Sequence, residues 1–259
     1  MKNIIFIEGV SGVGKSTTVN KLGDALRNLG YTVKCHNEGD PDNPLHLCWA
    51  AYLEIREYEH LLLKYPLFVK ELSENIIYRG EYILLRYQVR KTPLYVKEHI
   101  DELHKREFCI SDNAVVPLSK FTEVFANLWR RYADSDDTDI DYAVFDASLV
   151  SHMTNDLLRN YNASENELIE HLDILLRIIN HLNPAVFYLS SENVRERLEK
   201  ARHTRGQPPL DEEKVKFWEK RKQMDLSVLP KLSVKSKIID IINDNWDSVV
   251  SDIISQIHA

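Results

Sequence analysis

IIFIEGVSGVGKST, residues 4–17, joins a short apolar run, Ile4 to Ile7, to a glycine-rich turn and then to a helical pattern. Within it, Gly9-Val10-Ser11-Gly12-Val13-Gly14-Lys15-Ser16 fits the phosphate-loop pattern G-x-x-x-x-G-K-[ST] at every defined position. The spacing has a chemical reason. Glycines let the backbone wrap so that successive N–H groups point inward at phosphate oxygens, at the positive end of the following helix. Lys15 is then expected to reach the β- and γ-phosphates, and the Ser16 hydroxyl to ligate magnesium. The motif assigns Gly9, Ser11, Gly12, Val13, Gly14, Lys15, Ser16 and Thr17 to a nucleotide. Val19, Leu22, Leu26 and Leu29 recur at helical spacing after it, and Gly30 stands where a C-cap glycine belongs. The order is strand, loop, helix.

Working outward, 259 residues, 44% hydrophobic and 28% charged, predict one α/β domain spanning 1–259. A net charge of −7 argues against a broad nucleic-acid footprint but leaves room for small anionic ligands. The first strand begins a few residues after Met1 and no later apolar run is long enough to span a bilayer, so a cytoplasmic protein without a membrane partner is expected. Cys35, Cys48 and Cys109 lack C-x-x-C spacing, which favours reduced thiols over a disulfide framework or a zinc site.

Tyr31 to His36 reads as a second strand, ending in Asn37, Glu38, Gly39 and Asp40. Ligands of parallel α/β sheets sit beyond the carboxyl ends of the strands, so Glu38 lies on the loop's edge and is the first candidate for chemistry. Asp40 is the fallback base, and His36, an oriented strand-end histidine, joins Glu38 and Asp40 as a candidate for binding the substrate. From Pro44 to Asp141 helical patterns dominate, including Leu45 to Leu63, Ile76 to Gln88 and Phe121 to Tyr132. This predicts a large helical insertion, 44–141, forming an acceptor cleft in which Arg86 and Arg90 could read the acceptor. The acidic run Asp134 to Asp139 lacks the glycine and terminal glutamate of a calcium loop and reads as a solvated turn. Asp141 to Asp146 is a third strand, apolar until it delivers Asp146 to the same edge. A helix over Ser148 to Asn160 follows, then a capping box at Ser164 and Glu167. Ala185 to Leu189 and Ile238 to Ile242 complete five parallel strands, with the basic segment Arg195 to Arg205 between them and a final helix after Trp246.

These residues resemble the nucleoside and nucleoside-monophosphate kinases of the P-loop superfamily, thymidylate kinase and the deoxynucleoside kinases in style. The likeness is carried by FIEGVSGVGKSTT at Phe6 to Thr18, the strand ends at Glu38 and Asp146, the arginine segment and the last strand-helix pair. It implies a three-layer α/β/α fold with sheet order 2-3-1-4-5, a lid-like segment over 192–225, ATP and Mg2+ as cofactors, a small-molecule acceptor and a homodimer. Lys15 and the loop would hold the phosphates, and Ser16 with Asp146 would organise magnesium. Glu38 would take the proton of an attacking hydroxyl, while Arg202 and Arg205 would clamp the transferring phosphoryl group. Physically, such transfer needs positioning and neutralisation of spreading charge, with water excluded by a mobile segment.

One departure matters. Where the family commonly follows its strand-end acid with an acceptor-binding arginine, this chain has Ala147 and Ser148. The loss of that cation leans the expected acceptor towards a neutral or differently charged hydroxyl compound. Nucleosides, nucleotides and antibiotic-like compounds all stay open. A GTPase switch is disfavoured because no glycine completes D-x-x-G, and a mechanical ATPase because Ala147 replaces the second acid. The alternative is a nucleotide-binding regulator without turnover.

Overall fold

The computed structural model describes residues 2–89, 92–109, 114–135 and 139–258. Strand β1, Asn3–Gly9, runs into the glycine loop and feeds helix α1, Lys15–Asn28, after which comes β2, Val33–His36. The insertion holds β3 (Ala50–Glu54), α2 (Ile55–Lys64), α3 (Val69–Glu74), β4 (Ile76–Arg79), β5 (Tyr82–Arg86), β6 (Gln88–Val89), β7 (Thr92–Pro93), α4 (Lys97–His104) and α5 (Leu118–Ala133). The chain then returns through β8 (Tyr142–Asp146), α6 (Val150–Tyr161), α7 (Glu165–Ile179) and β9 (Ala185–Ser190). It closes with α8 (Val194–Thr204), α9 (Glu212–Val228), β10 (Lys235–Asp240) and α10 (Trp246–Ile257).

The main sheet has the order β10-β9-β1-β8-β2, all parallel, which is the expected 2-3-1-4-5 pattern among its five strands. β1 is central because Ile4 to Ile7 are apolar and the buried Glu8 has both carboxylate oxygens accepting backbone N–H groups, so both faces can be covered. Ile4 and Phe6 enter the core under α5, α6 and α7, whereas Ile5 and Ile7 enter the one under α1, α8 and α10. Helix ends follow their sequence signals. Ser164 and Glu167 form the reciprocal capping box, and Gly30 leaves α1 at φ 94°. The fifth strand starts earlier than its apolar run predicts, since as an edge strand it tolerates Lys235 and Lys237, and Lys237 pairs with Asp252 at 2.6 Å.

The expectation of a helical insertion over 44–141 is corrected. Phe121 to Tyr132 is helical within α5, but Ala50–Glu54 and most of Ile76 to Gln88 are strands of an antiparallel sheet ordered β3-β5-β4. Both faces of this sheet are buried. Tyr52, Tyr82 and Leu84 face the main core, and Ala51, Leu53, Ile83 and Leu85 face a second core with Tyr58, Leu61 and Leu103. A strand that is apolar on both faces carries no alternation to read, so its period cannot be told from a helix. Gly80, between β4 and β5, is the hairpin signal that the helical reading passed over. No helix among the described residues is long and apolar enough to cross a membrane.

Candidate functional site

A cavity of about 510 Å³ opens at the carboxyl edge of the main sheet. One wall is the glycine loop and the start of α1, contributing Ser11, Gly12, Gly14, Lys15, Ser16 and Thr17. Gly14 adopts φ 91° and begins α1 without a side-chain cap, and Gly12, at φ 85°, lies so near α8 that a Cβ would meet the Arg197 carbonyl oxygen at 2.3 Å. Only glycine fits so close a backbone approach. Val13 is buried in the core, and Gly9 is tied to α6 by its N–H donating to Ser151 Oγ at 2.8 Å.

Lys15 is buried, its ammonium donating to the Val10 carbonyl at 3.2 Å. Ser16 Oγ donates to Asp146 Oδ2 at 2.5 Å, and Asp146 Oδ1, buried, has no hydrogen-bond partner. Burial pushes the Asp146 carboxyl up, against the pull of Lys15. A hydroxyl and a carboxylate side by side, with one oxygen left over, are a donor set suited to a hard divalent cation such as magnesium.

Glu38 reaches the cavity from the end of β2. Its surface is exposed into the cavity, yet protein surrounds it closely enough that burial is the largest influence on its acidity; Lys15, His152 and His46 outweigh it and hold the carboxyl below its ordinary value. Ala147, in the left-handed region at φ 56°, lines the cavity and brings no cation to it.

Glu8 has a different part from its loop neighbours. Fully buried, it accepts the N–H groups of Leu149 at 2.9 Å and Ser151 at 2.7 Å, and so caps the start of α6. That helix forms the facing wall, with Ser151, His152, Asn155 and Arg159 along one side. From α9 come Trp218 and Arg221. Arg221 is buried, pairs with Asp225 at 3.2 Å, donates to the Gly9 carbonyl at 3.2 Å and lies 5.1 Å from the Trp218 ring centre.

Of the residues singled out by sequence, the structure gathers Lys15, Ser16, Glu38, Asp146 and Arg205 around one edge. Arg202 stands outside the cavity lining, its Nε donating to the Pro208 carbonyl at 2.5 Å. His36 is buried and stacks on Phe145 with ring centres 4.5 Å apart, and Asp40 accepts the Asn37 N–H at 3.2 Å. Arg86 lines a separate cavity of about 330 Å³ with Lys34 and Arg131. Arg90 and the middle of the acidic run, 136–138, lie outside the described residues.

Sequence reasoning missed the α6 face and Arg221. The spacing Ser151, Asn155, Arg159 is a polar helical stripe, and Trp218 with Arg221 is an i, i+3 pair; both were legible as faces but not as walls.

The fold and edge define an α/β protein with a five-stranded parallel sheet and a glycine loop at its centre. No family model matches the chain. No curated protein matches it in sequence either.

Proposed function

We propose that the chain is an ATP-dependent phosphotransferase acting on a small-molecule acceptor. The observation that carries this reading is that one cavity is lined both by a complete glycine loop with Lys15 and by the carboxyl group of Glu38, which Lys15 holds below its ordinary pKa. A phosphate donor and a hydroxyl acceptor need those two walls.

In this mechanism the loop amides and Lys15 bind the donor phosphates, while Ser16 and Asp146 would hold magnesium. Magnesium, when bound, neutralises charge on the transferring group. Glu38 orients the acceptor hydroxyl and accepts its proton. Arg205 and Arg221 supply the cations that meet the spreading charge, and α8, packed on Gly12, excludes water. The missing cation at Ala147 favours a hydroxyl acceptor over a phosphorylated one; nucleosides and antibiotic-like alcohols are the classes to try.

The test is a thermal-shift screen with ATP and magnesium saturating, adding nucleosides, nucleoside monophosphates and hydroxyl-bearing antibiotics singly, followed by a phosphoryl-transfer assay on any hit. Lys15→Ala is expected to abolish transfer. Near-normal transfer by that variant would remove the loop from the chemistry. Stabilisation by ATP with no acceptor effect and no turnover would favour a nucleotide-binding regulator instead.

A further inference from the structure

Beside the cavity, three chain segments far apart in sequence bring two thiols, two imidazoles and a carboxylate together. His46 and Cys48 precede β3, Cys109 follows α4, and His152 and Asp156 stand one turn apart on α6. The donor atoms of His46, Cys48 and His152 all lie within 4.8 Å of one another, as do those of Cys109, His152 and Asp156. His152 is common to both groups.

We propose that this cluster is a zinc site, with His46, Cys48 and His152 as three ligands and Cys109 or Asp156 as the fourth. Cys48 Sγ is 3.7 Å from His152 Nε2, and Asp156 Oδ2 is 3.4 Å from the same nitrogen. Zinc bonds of about 2.0–2.3 Å in a tetrahedron give ligand–ligand edges of roughly 3.3–3.8 Å, so these contacts already have the required span.

A second, independent observation points to a cation. His46 is buried, yet its Nε2 has no hydrogen-bond partner. Buried polar atoms are otherwise almost always satisfied. The surroundings also behave as an outer shell. Glu107 Oε1 accepts the N–H groups of Trp49 at 3.2 Å and Cys109 at 3.4 Å, which pins the backbone beside both thiols, and Asn160 donates to the Cys109 carbonyl. Each thiol that binds zinc gives up its proton to solvent as the Zn–S bond forms.

His152 is at once a ligand and a wall of the main cavity, which places the metal beside that cavity. The site nevertheless stands apart from the phosphotransfer reading, because metal retention is measured without nucleotide or acceptor.

The experiment uses the full chain purified without chelator. About one equivalent of zinc per chain is expected by mass spectrometry after dialysis, and cobalt exchanged into the site should show thiolate-to-cobalt charge transfer with tetrahedral d–d bands. Cys48→Ser and His152→Asn should each lose the metal, while Cys35→Ser should keep it. Loss in Cys109→Ser or in Asp156→Asn identifies the fourth ligand. Failure of the unaltered chain to take up stoichiometric zinc or cobalt overturns the proposal whether or not the variants fold, and so does a charge-transfer band that survives in the Cys48→Ser/Cys109→Ser double variant.

Discussion

Gly14→Ala tests the packing of the glycine loop in a way that separates its two constraints. A Cβ built at Gly14 would meet Trp246 Cη2 at 2.1 Å, Cζ3 at 2.4 Å and Cζ2 at 2.7 Å, so the half-buried indole at the start of α10 must move. The residue also adopts φ 91°, a region where an L side chain costs about 1–2 kcal/mol. Overpacking adds about 1–3 kcal/mol. The single variant is therefore expected to lose about 2–5 kcal/mol.

Trp246→Ala removes the obstructing ring but leaves the backbone conformation unchanged. In that background Gly14→Ala should cost only the backbone part, about 1–2 kcal/mol. Urea unfolding of the four proteins gives the cycle directly, and the coupling should equal the steric part, about 1–3 kcal/mol. Additivity within about 0.5 kcal/mol would refute the argument, because it would mean that the ring and the loop do not constrain each other. Titrating ATP and magnesium into the same four proteins then reports whether the loop needs the indole to keep its shape.

Glu38→Gln should lower turnover by about 10²–10⁴ while leaving ATP affinity nearly unchanged, measured by steady-state kinetics with the acceptor found in the screen; unaltered turnover would remove Glu38 as the base. Arg221→Met leaves Asp225, fully buried and accepting the Tyr188 hydroxyl at 2.9 Å, without its cation. A loss of about 3–5 kcal/mol in urea unfolding is expected, with much of it recovered in the Arg221→Met/Asp225→Asn double variant. His171 is buried beside Phe121 and Phe125, and burial lowers its pKa from 6.5 to about 3. The unfolded chain therefore binds a proton that the native chain refuses. The stability this depressed pKa contributes is present above 6.5 and is lost as pH falls towards 3, at up to roughly 1.4 kcal/mol per pH unit. His171→Gln should flatten that acid limb in unfolding measured against pH, and an unchanged slope would show that other groups set it.

Much of the scaffold was legible because it is local. The run from Ile4 to Thr17, the capping box at Ser164 and Glu167, and the strands read to end at His36, Asp146 and Leu189 each specify their own geometry within a few residues. Parallel strands ending in acids also place Glu38 and Asp146 on one edge before any coordinates are known. The insertion misled for the opposite reason. β3 and β5 are buried on both faces, so their pattern reflects two cores at once and hides the strand period.

By itself, then, the amino-acid sequence determined the glycine loop, the central strand, the sheet of five parallel strands and the acids at its edge, since these follow from short-range sterics and burial. Only the tertiary structure decided which side chains share the cavity with the loop and which gather beside it. Arg221 arrives from α9, Ser151 and His152 from a helix whose start is capped by Glu8, and His46, Cys48 and Cys109 from segments dozens of residues apart. Their meeting depends on long-range packing of buried surfaces, a property of the whole fold that no single stretch of sequence contains.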